Sequence, residues 1–258
     1  MKFSFGKNWL SYSKVALDDG KIAAAREAFS SLTRGINLQR ARFLDIGFGQ
    51  GLSLFLAAEA GADVYGIDVD PLCGEAVKAT QRFFPSLPIP RITIASILDY
   101  VFVQEQKENG DFDVVHSWGA LHHTGDIAKA FQNAAALVKP GGFLIISIYN
   151  RHWTSFLWRA VKYGFNHMPG FVQEGMVFAL YPIFYFRARS LAGKNGQMAT
   201  RGMDVYHDMR DWLGGHPYEY ASAADVQRAF SELGLAMVRC DLTRGFTGCN
   251  EFVFQKKS

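Results

Sequence analysis

The chain has 258 residues, of which 49% are hydrophobic, and 27 basic against 24 acidic side chains give it a net charge of +3. This length suffices for one large domain with an insertion, and the balanced charge argues against nucleic acid as a partner. Cys73, Cys240 and Cys249 lack the spacing of a disulfide framework or of a zinc site.

The sequence predicts a soluble, cytoplasmic protein with a small-molecule partner. The N-terminus lacks the apolar core of a signal peptide, and the longest apolar run, residues 176–186, is too short to span a bilayer. An aromatic face on that run leaves peripheral contact with a membrane, or with a second subunit, open. A monomer and a homodimer are therefore both compatible with the sequence.

Residues 1–40 are predicted to form an N-terminal helical segment. Asp18 and Asp19 supply caps for one helix. Its apolar stripe is Ile22, Ala25, Phe29 and Leu32.

A glycine-rich turn follows the first predicted strand, Arg42 to Ile46. Asp45 lies two residues before the first of three alternating glycines, which are Gly47, Gly49 and Gly51. Glycine permits a positive φ and close approach of a ligand, and the helix that follows presents free N–H groups. A dinucleotide fingerprint would instead need a glycine at the position of Leu52.

The second predicted strand, residues 62–67, ends at Asp68, roughly 20 residues past the glycines. A carboxylate at this place in a parallel sheet lies in the ligand crevice and can accept both hydroxyls of a ribose. The competing interpretation is that Asp68 or Asp70 caps the helix that begins at Pro71. We assign the cap to Asp70 and the ribose to Asp68.

Three further strands are predicted at residues 91–95, 113–117 and 143–149. Between the last two, Asp126 caps a helix, and the Lys-Pro-Gly-Gly sequence at 139–142 turns the chain into the fifth strand.

These motifs, in this order, resemble the class I S-adenosylmethionine (SAM)-dependent methyltransferases over residues 42–150. The loop from Trp118 to Asp126, with its Leu-His-His segment, is similar to that of ubiquinone-biosynthesis-type and small-molecule O-methyltransferases. The resemblance implies an α/β, Rossmann-like fold with a seven-stranded, mostly parallel sheet in the order 3-2-1-4-5-7-6. SAM is the implied cosubstrate.

The resemblance also implies which residues contact SAM. The glycine turn would pass under the methionine part, the acidic residue of the turn would hold its ammonium end, and the loop after strand four would border the sulfonium. Leading helices with Trp9 and Tyr12 would cover the site, although simple packing of both rings is the alternative. The expected contacts are Asp45, Gly47, Gly49, Gly51, Asp68, Val69, Ser96, Ile97, Ser117 and Trp118.

Residues 41–150 and 221–258 are the two parts of the predicted core, separated by an insertion at 151–220. That insertion is rich in aromatic residues and longer than the one helix that the fold needs, so we predict a helical cap over the acceptor. In the C-terminal part, Ser222 caps a helix and residues 235–241 form strand six. The resemblance places the last strand, residues 251–255, antiparallel between strands five and six.

Methyl transfer from SAM requires alignment of the acceptor and, for a hydroxyl or amine, removal of a proton. By topology the loop after strand four passes beside the methyl group, so His122 or His123 is the leading candidate for the base. The alternative is that both histidines have only a structural role. Tyr218 and Glu219 are the expected orienting groups. We expect transfer to oxygen or nitrogen of a small, cyclic or aromatic acceptor. Cyclisation of SAM or aminocarboxypropyl transfer, and a noncatalytic SAM-binding module, are the alternatives.

A cluster of acidic residues near the end of the insertion has helical spacing that could suit a divalent ion. Carboxylates at such spacing more often mark a solvated helix face, so no metal is predicted. The cluster consists of Asp204, Asp208 and Asp211, together with His207.

Overall fold

The structure is a computed structural model that describes residues 4–191, 204–243 and 248–257. The side chains of residues 187, 188, 190 and 191 are outside this description. Residues 192–203 of the predicted cap also lie outside the described residues.

One seven-stranded sheet organises the core, and its order is β3-β2-β1-β4-β5-β7-β6. Neighbours among the first five strands pair in parallel, whereas β7 is antiparallel to both β5 and β6. The predicted fold and strand order are therefore confirmed. The strands are β1 (Arg42–Ile46), β2 (Asp63–Asp68), β3 (Arg91–Ile94), β4 (Phe112–Trp118), β5 (Val138–Tyr149), β6 (Leu235–Asp241) and β7 (Cys249–Lys256).

Helices cover both faces of this sheet, as they do when parallel strands are joined by helical crossovers. Within the described part of the chain they are α1 (Phe5–Ser11), α2 (Asp19–Leu32), α3 (Leu52–Glu59), α4 (Leu72–Thr80), α5 (Tyr100–Glu108), α6 (Ile127–Ala136), α7 (Ser155–His167), α8 (Gly170–Leu191), α9 (Val205–Gly214) and α10 (Ala223–Glu232). The predicted caps of α6 and α10 are present at Asp126 and Ser222.

Alternation along β1 divides the core into two clusters. Leu44 and Ile46 pack with Phe131 in one cluster, while Phe43 packs with Phe29 in the other. Full burial of each such side chain stabilises the fold by about 1.5–3 kcal/mol. Both faces of the sheet are thus covered by apolar packing, so the polar groups of a binding site lie at the ends of the strands.

Two elements differ from the sequence prediction. Strand β5 begins at Val138, five residues early, because the Lys-Pro-Gly-Gly segment continues the strand through a register shift opposite β4. Helix α5 was not predicted, since its first residues are aromatic and β-branched. Its start is fixed by Asp99, whose Oδ1 accepts a hydrogen bond of 2.9 Å from the backbone N–H of Val101.

The insertion forms helices α7, α8 and α9, which share a small apolar core of Phe165, Val177, Met209 and Leu213. Helix α9 also contacts α1, where Asn8 Nδ2 donates to the carbonyl of His207 at 3.0 Å. Within the residues described, no helix combines the length and the apolar composition needed to cross a membrane. Phe178 on α8 is 83% exposed, and the contact face expected there stays a prediction.

Candidate active site

The glycine turn adopts the conformation that its sequence indicates. Gly47, Gly49 and Gly51 have φ values of 75°, 55° and 75°, in the region that favours glycine. The N–H of Gly47 donates to the carbonyl of Ile67 at 2.7 Å, so the ends of β1 and β2 are joined. A Cβ on Gly47 would collide with Ala120 in the loop after β4. This loop therefore lies directly against the turn.

Asp68 holds the turn from the tip of β2. Its Oδ2 accepts from the N–H of Gly49 at 3.0 Å, and its Oδ1 accepts from the N–H of Asp70 at 3.0 Å. Burial raises the pKa of this carboxyl, although the two N–H donors oppose the rise. Because each carboxylate oxygen has a second lone pair, the group can still accept hydrogen bonds from a ribose.

Asp70 joins α1 to the start of α4. One oxygen accepts from the N–H of Leu72 at 3.0 Å, as expected of a capping residue, and the other accepts from the N–H of Gly6 at 2.9 Å. Trp9 on α1 lies over the turn, because a Cβ on Gly49 would come within 2.9 Å of its indole nitrogen. Helix α1 therefore covers the site at which SAM is expected.

Asp45 lies beside His116 because β1 and β4 pair in parallel with these residues as partners. His116 Nδ1 donates to Asp45 Oδ1 at 2.7 Å, and the two residues are only 1% and 3% exposed. Both line a cavity of about 100 Å³ beside the turn. The sequence marked Asp45 as a ligand contact, but it gave no signal for His116 beyond a polar residue inside a buried strand.

Two predicted SAM contacts follow His116 on β4. Ser117 is fully buried, and its Oγ donates to the carbonyl of Ile46 at 2.9 Å, so it fixes β4 to β1. Trp118 lines the cavity, and its indole N–H donates to Glu251 at 2.8 Å.

The predicted adenine contacts lie after β3. Ser96 Oγ accepts from the N–H of Leu98 at 3.1 Å and thereby turns the chain. Ile97 is buried, and its carbonyl accepts from Asn133 Nδ2 at 2.7 Å. Val69, beyond the tip of β2, is 66% exposed. The roles of these three residues toward SAM stay predictions.

The two histidines after β4 have opposite tautomers in their neutral forms. His122 Nδ1 accepts from the N–H of Tyr149 at 3.4 Å, so its proton is on Nε2. His123 Nδ1 donates to the carbonyl of Pro217 at 2.6 Å, which leaves the lone pair on Nε2. Burial lowers the pKa of His123 to about 3, with the charge of Lys162 adding to the effect, and lowers that of His122 well below its usual range.

The cap residues Tyr218 and Glu219 reach the same loop. Tyr218 is buried, and its ring lies 5.0 Å from that of Tyr149. The Glu219 carboxylate accepts from the N–H groups of Gly125 and Ile127 at 3.0 and 3.1 Å, at the start of α6. A negative charge is favourable at a helix N-terminus. Glu219 thus ties the cap to the loop that carries the histidines.

Lys162 on α7 is a charged residue of this region that no motif in the sequence indicates. Its side chain is fully buried, its Nζ donates to the carbonyl of Trp212, and it lies 4.9–5.2 Å from the ring centres of Tyr149, Trp212 and Tyr218. Burial lowers its pKa to about 7. The sequence signal for this burial was the position of Lys162, which shares a helix face with the buried Phe165.

The residues of the acidic cluster, which were predicted to form a solvated helix face, differ in their surroundings. Asp204 caps α9 and pairs with His207, while burial and the neighbouring Asp208 raise the pKa of Asp211 to about 7. Among the described residues, no group of three or more His, Cys, Asp or Glu side chains is arranged to hold a metal ion.

The sheet order, the glycine turn and the acidic tip of β2 define a class I SAM-dependent methyltransferase fold. A family model described as a methyltransferase domain matches residues 18–239. The chain belongs to this methyltransferase domain family.

One curated relative is a ubiquinone biosynthesis O-methyltransferase of Paracidovorax citrulli, 33% identical over 138 residues. The match covers 54% of this chain and 55% of that protein. The chain thus spans about half the length of the curated relatives that it matches.

Solved structures extend the similarity of fold to nearly the whole chain. Magnesium protoporphyrin IX methyltransferase from Synechocystis PCC 6803, with bound S-adenosylhomocysteine (SAH), gives a TM-score of 0.57 at 16% identity and covers 92% of this chain and 84% of that one. The N-methyltransferase NodS from Bradyrhizobium japonicum, also with SAH, gives 0.52 at 16% identity, with 90% and 87% covered. These complexes support SAM as the cosubstrate of the fold.

Proposed function

We propose that this chain transfers the methyl group of SAM to an oxygen or nitrogen atom of a small-molecule acceptor. The observation that carries the proposal is the contact of Ala120 with Gly47, which sets the histidine-bearing loop against the glycine turn. The similarity to O-methyltransferases favours oxygen. The names of the relatives described above give no support to non-methyl chemistry on SAM.

The reaction depends mainly on position, because the sulfonium of SAM already carries a good leaving group. Alignment of the acceptor with the methyl carbon supplies a large part of the rate. Lys162 has a pKa near neutrality, which suits a general base, whereas His123 Nε2 carries a lone pair at neutral pH but, with a pKa of about 3, is a weak base. These two groups are the candidates for taking a proton from the acceptor. Tyr218 orients the acceptor from the cap in this proposal.

The cap at residues 151–220 selects the acceptor in this proposal, while the core holds SAM. Two observations support the division. Helices α7 to α9 have an apolar core of their own, and the cap reaches the loop after β4 through Pro217 and Glu219.

Incubation with isotopically labelled SAM and a pool of cell metabolites tests the proposed reaction. We expect label in a small molecule, together with one equivalent of SAH. Cyclisation or aminocarboxypropyl transfer would release methylthioadenosine instead, and mass spectrometry separates the two products. Transfer that appears only with a second protein added would favour a noncatalytic SAM-binding module.

Asp68→Asn is expected to weaken SAM binding about 10- to 100-fold, since hydrogen bonds to a charged group contribute about 1.5–3 kcal/mol each. Calorimetric titration of SAM measures the change. Asp63→Asn is the matched control, because Asp63 lies at the other end of β2, away from the glycine turn. Equal affinities of Asp68→Asn and the wild type would contradict the ribose assignment.

A further inference from the structure

The cavity beside the glycine turn has the composition of a site for a cation. Asp45 is the acidic residue in its wall, and no lysine or arginine lines it among the described residues. Aromatic rings are supplied by Trp9, Phe29, Phe48 and Trp118. Carboxylates and the faces of aromatic rings both attract cations. The volume of about 100 Å³ is enough for an amino group and its neighbouring atoms, since one water needs only roughly 10–15 Å³ on this measure.

His116, in the same wall, has an unused hydrogen-bond acceptor. Its Nδ1 donates to Asp45 Oδ1, so its Nε2 carries a lone pair in the neutral ring. That Nε2 is buried and has no hydrogen-bond partner in the described part of the chain. A buried nitrogen without a partner costs free energy, and such an atom is usually satisfied by a ligand or by water.

Two aromatic rings pack against the ring of His116. Phe43 stacks on it with ring centres 5.7 Å apart, and Phe29 meets it edge to face at 6.4 Å. The bond to Asp45 fixes the remaining rotation. The orientation of Nε2 is therefore set by the fold before any ligand binds, as is expected of a preorganised binding group.

We propose that His116 binds the ammonium group of SAM directly, with Nε2 and the Asp45 carboxylate as two acceptors for its three N–H donors. This inference rests on the proposed use of SAM and adds one ligand contact to it. The Asp45 bond and the Nε2 contact require the neutral ring with its proton on Nδ1.

A pair of ligands that differ only in the amino group isolates this contact. SAH carries the amine, and its deaminated analogue, S-adenosyl-4-thiobutyric acid, lacks it. We expect the wild type to bind SAH more tightly than the analogue. His116→Asn should lower the ratio of the two affinities about 10- to 100-fold, which is the contribution of a charge-assisted hydrogen bond. Affinity for the deaminated analogue should change little.

Two variants separate a direct contact from an indirect one. Asparagine keeps a donor near the position of Nδ1 but has no atom at Nε2, whereas glutamine places a polar group near Nε2. His116→Gln should therefore retain more of the preference for SAH than His116→Asn. If His116→Asn keeps the full preference, His116 acts only by orienting Asp45, and the proposal fails.

A measurement on the wild type covers the case in which both variants unfold. With ¹⁵N-labelled histidine, the Nε2 resonance of His116 should move on addition of SAH and stay in place with the deaminated analogue. An unchanged resonance in the SAH complex would overturn the inference. Absence of any SAH binding by the folded wild type would instead count against the proposed function, so the two failures are distinguishable.

Discussion

Lys162→Met is expected to remove a rise in the free energy of unfolding between pH 7 and pH 10.5. The pKa of Lys162 falls from 10.5 to about 7 on folding, because burial disfavours its charged form. Over this range the unfolded chain binds a proton at this lysine that the folded chain does not, so the contribution of Lys162 to stability rises with pH. Below about pH 7 both states bind the proton, and the destabilising contribution of the buried charge is fully present.

The size of this effect follows from the linkage relation. One pKa unit corresponds to about 1.4 kcal/mol, so between about pH 7 and about pH 9 the wild type should gain about 1–3 kcal/mol relative to Lys162→Met. Methionine fills a similar volume and does not titrate, so Lys162→Met lacks this contribution. Urea unfolding at the two pH values measures it.

The Asp211 carboxyl, which interacts electrostatically with Lys162, contributes a pH dependence of its own. The pKa of Asp211 rises from 3.8 to about 7, so its contribution to stability falls as pH rises through the range below 7 and is constant above it. Lys78→Met is the matched control, because this lysine is exposed on α4 and pairs with Glu75. Parallel stability curves for Lys162→Met and the wild type would show that the buried amine does not titrate in this range.

The SAM side of the site was predictable because its residues are close in sequence or fixed by the sheet. Parallel strands bring their carboxyl ends to one edge, so a glycine turn after β1 and a carboxylate at the tip of β2 must meet. The hydrogen bond from the N–H of Gly49 to the Asp68 carboxylate is the result. Whether these residues bind SAM as expected stays a prediction.

The acceptor side was predictable only in part. The position of the histidine loop followed from topology, but the burial of Lys162 depends on the packing of α7 against α9, which are remote in sequence. The partner of His116 depends on the register of β1 against β4, which the sequence pattern does not specify. Helix α5 was missed because the cap at Asp99 outweighed the strand-like composition of its first turn.

His123→Asn is expected to reduce turnover at saturating substrate by about 10²-fold, the lower end of the usual contribution of a general base, because a pKa of about 3 makes His123 a weak base. Asparagine keeps a donor for the carbonyl of Pro217 but removes the lone pair at Nε2. SAM affinity should be unchanged, because the side chain of His123 bonds to the carbonyl of Pro217 in the cap and not to the glycine turn. His167→Asn, near the exposed C-terminal end of α7, is the matched control.

The pH dependence of turnover distinguishes His123 from its neighbour. With a pKa of about 3, the ring of His123 stays neutral through the working range, so it adds no inflection near pH 6.5. An inflection near pH 7 would belong to Lys162 and Asp211, which titrate as a coupled pair. If His123→Asn keeps full turnover and Lys162→Met loses it together with this inflection, the lysine is the base. If both variants keep full turnover, alignment of the acceptor with the methyl group accounts for the rate without a base.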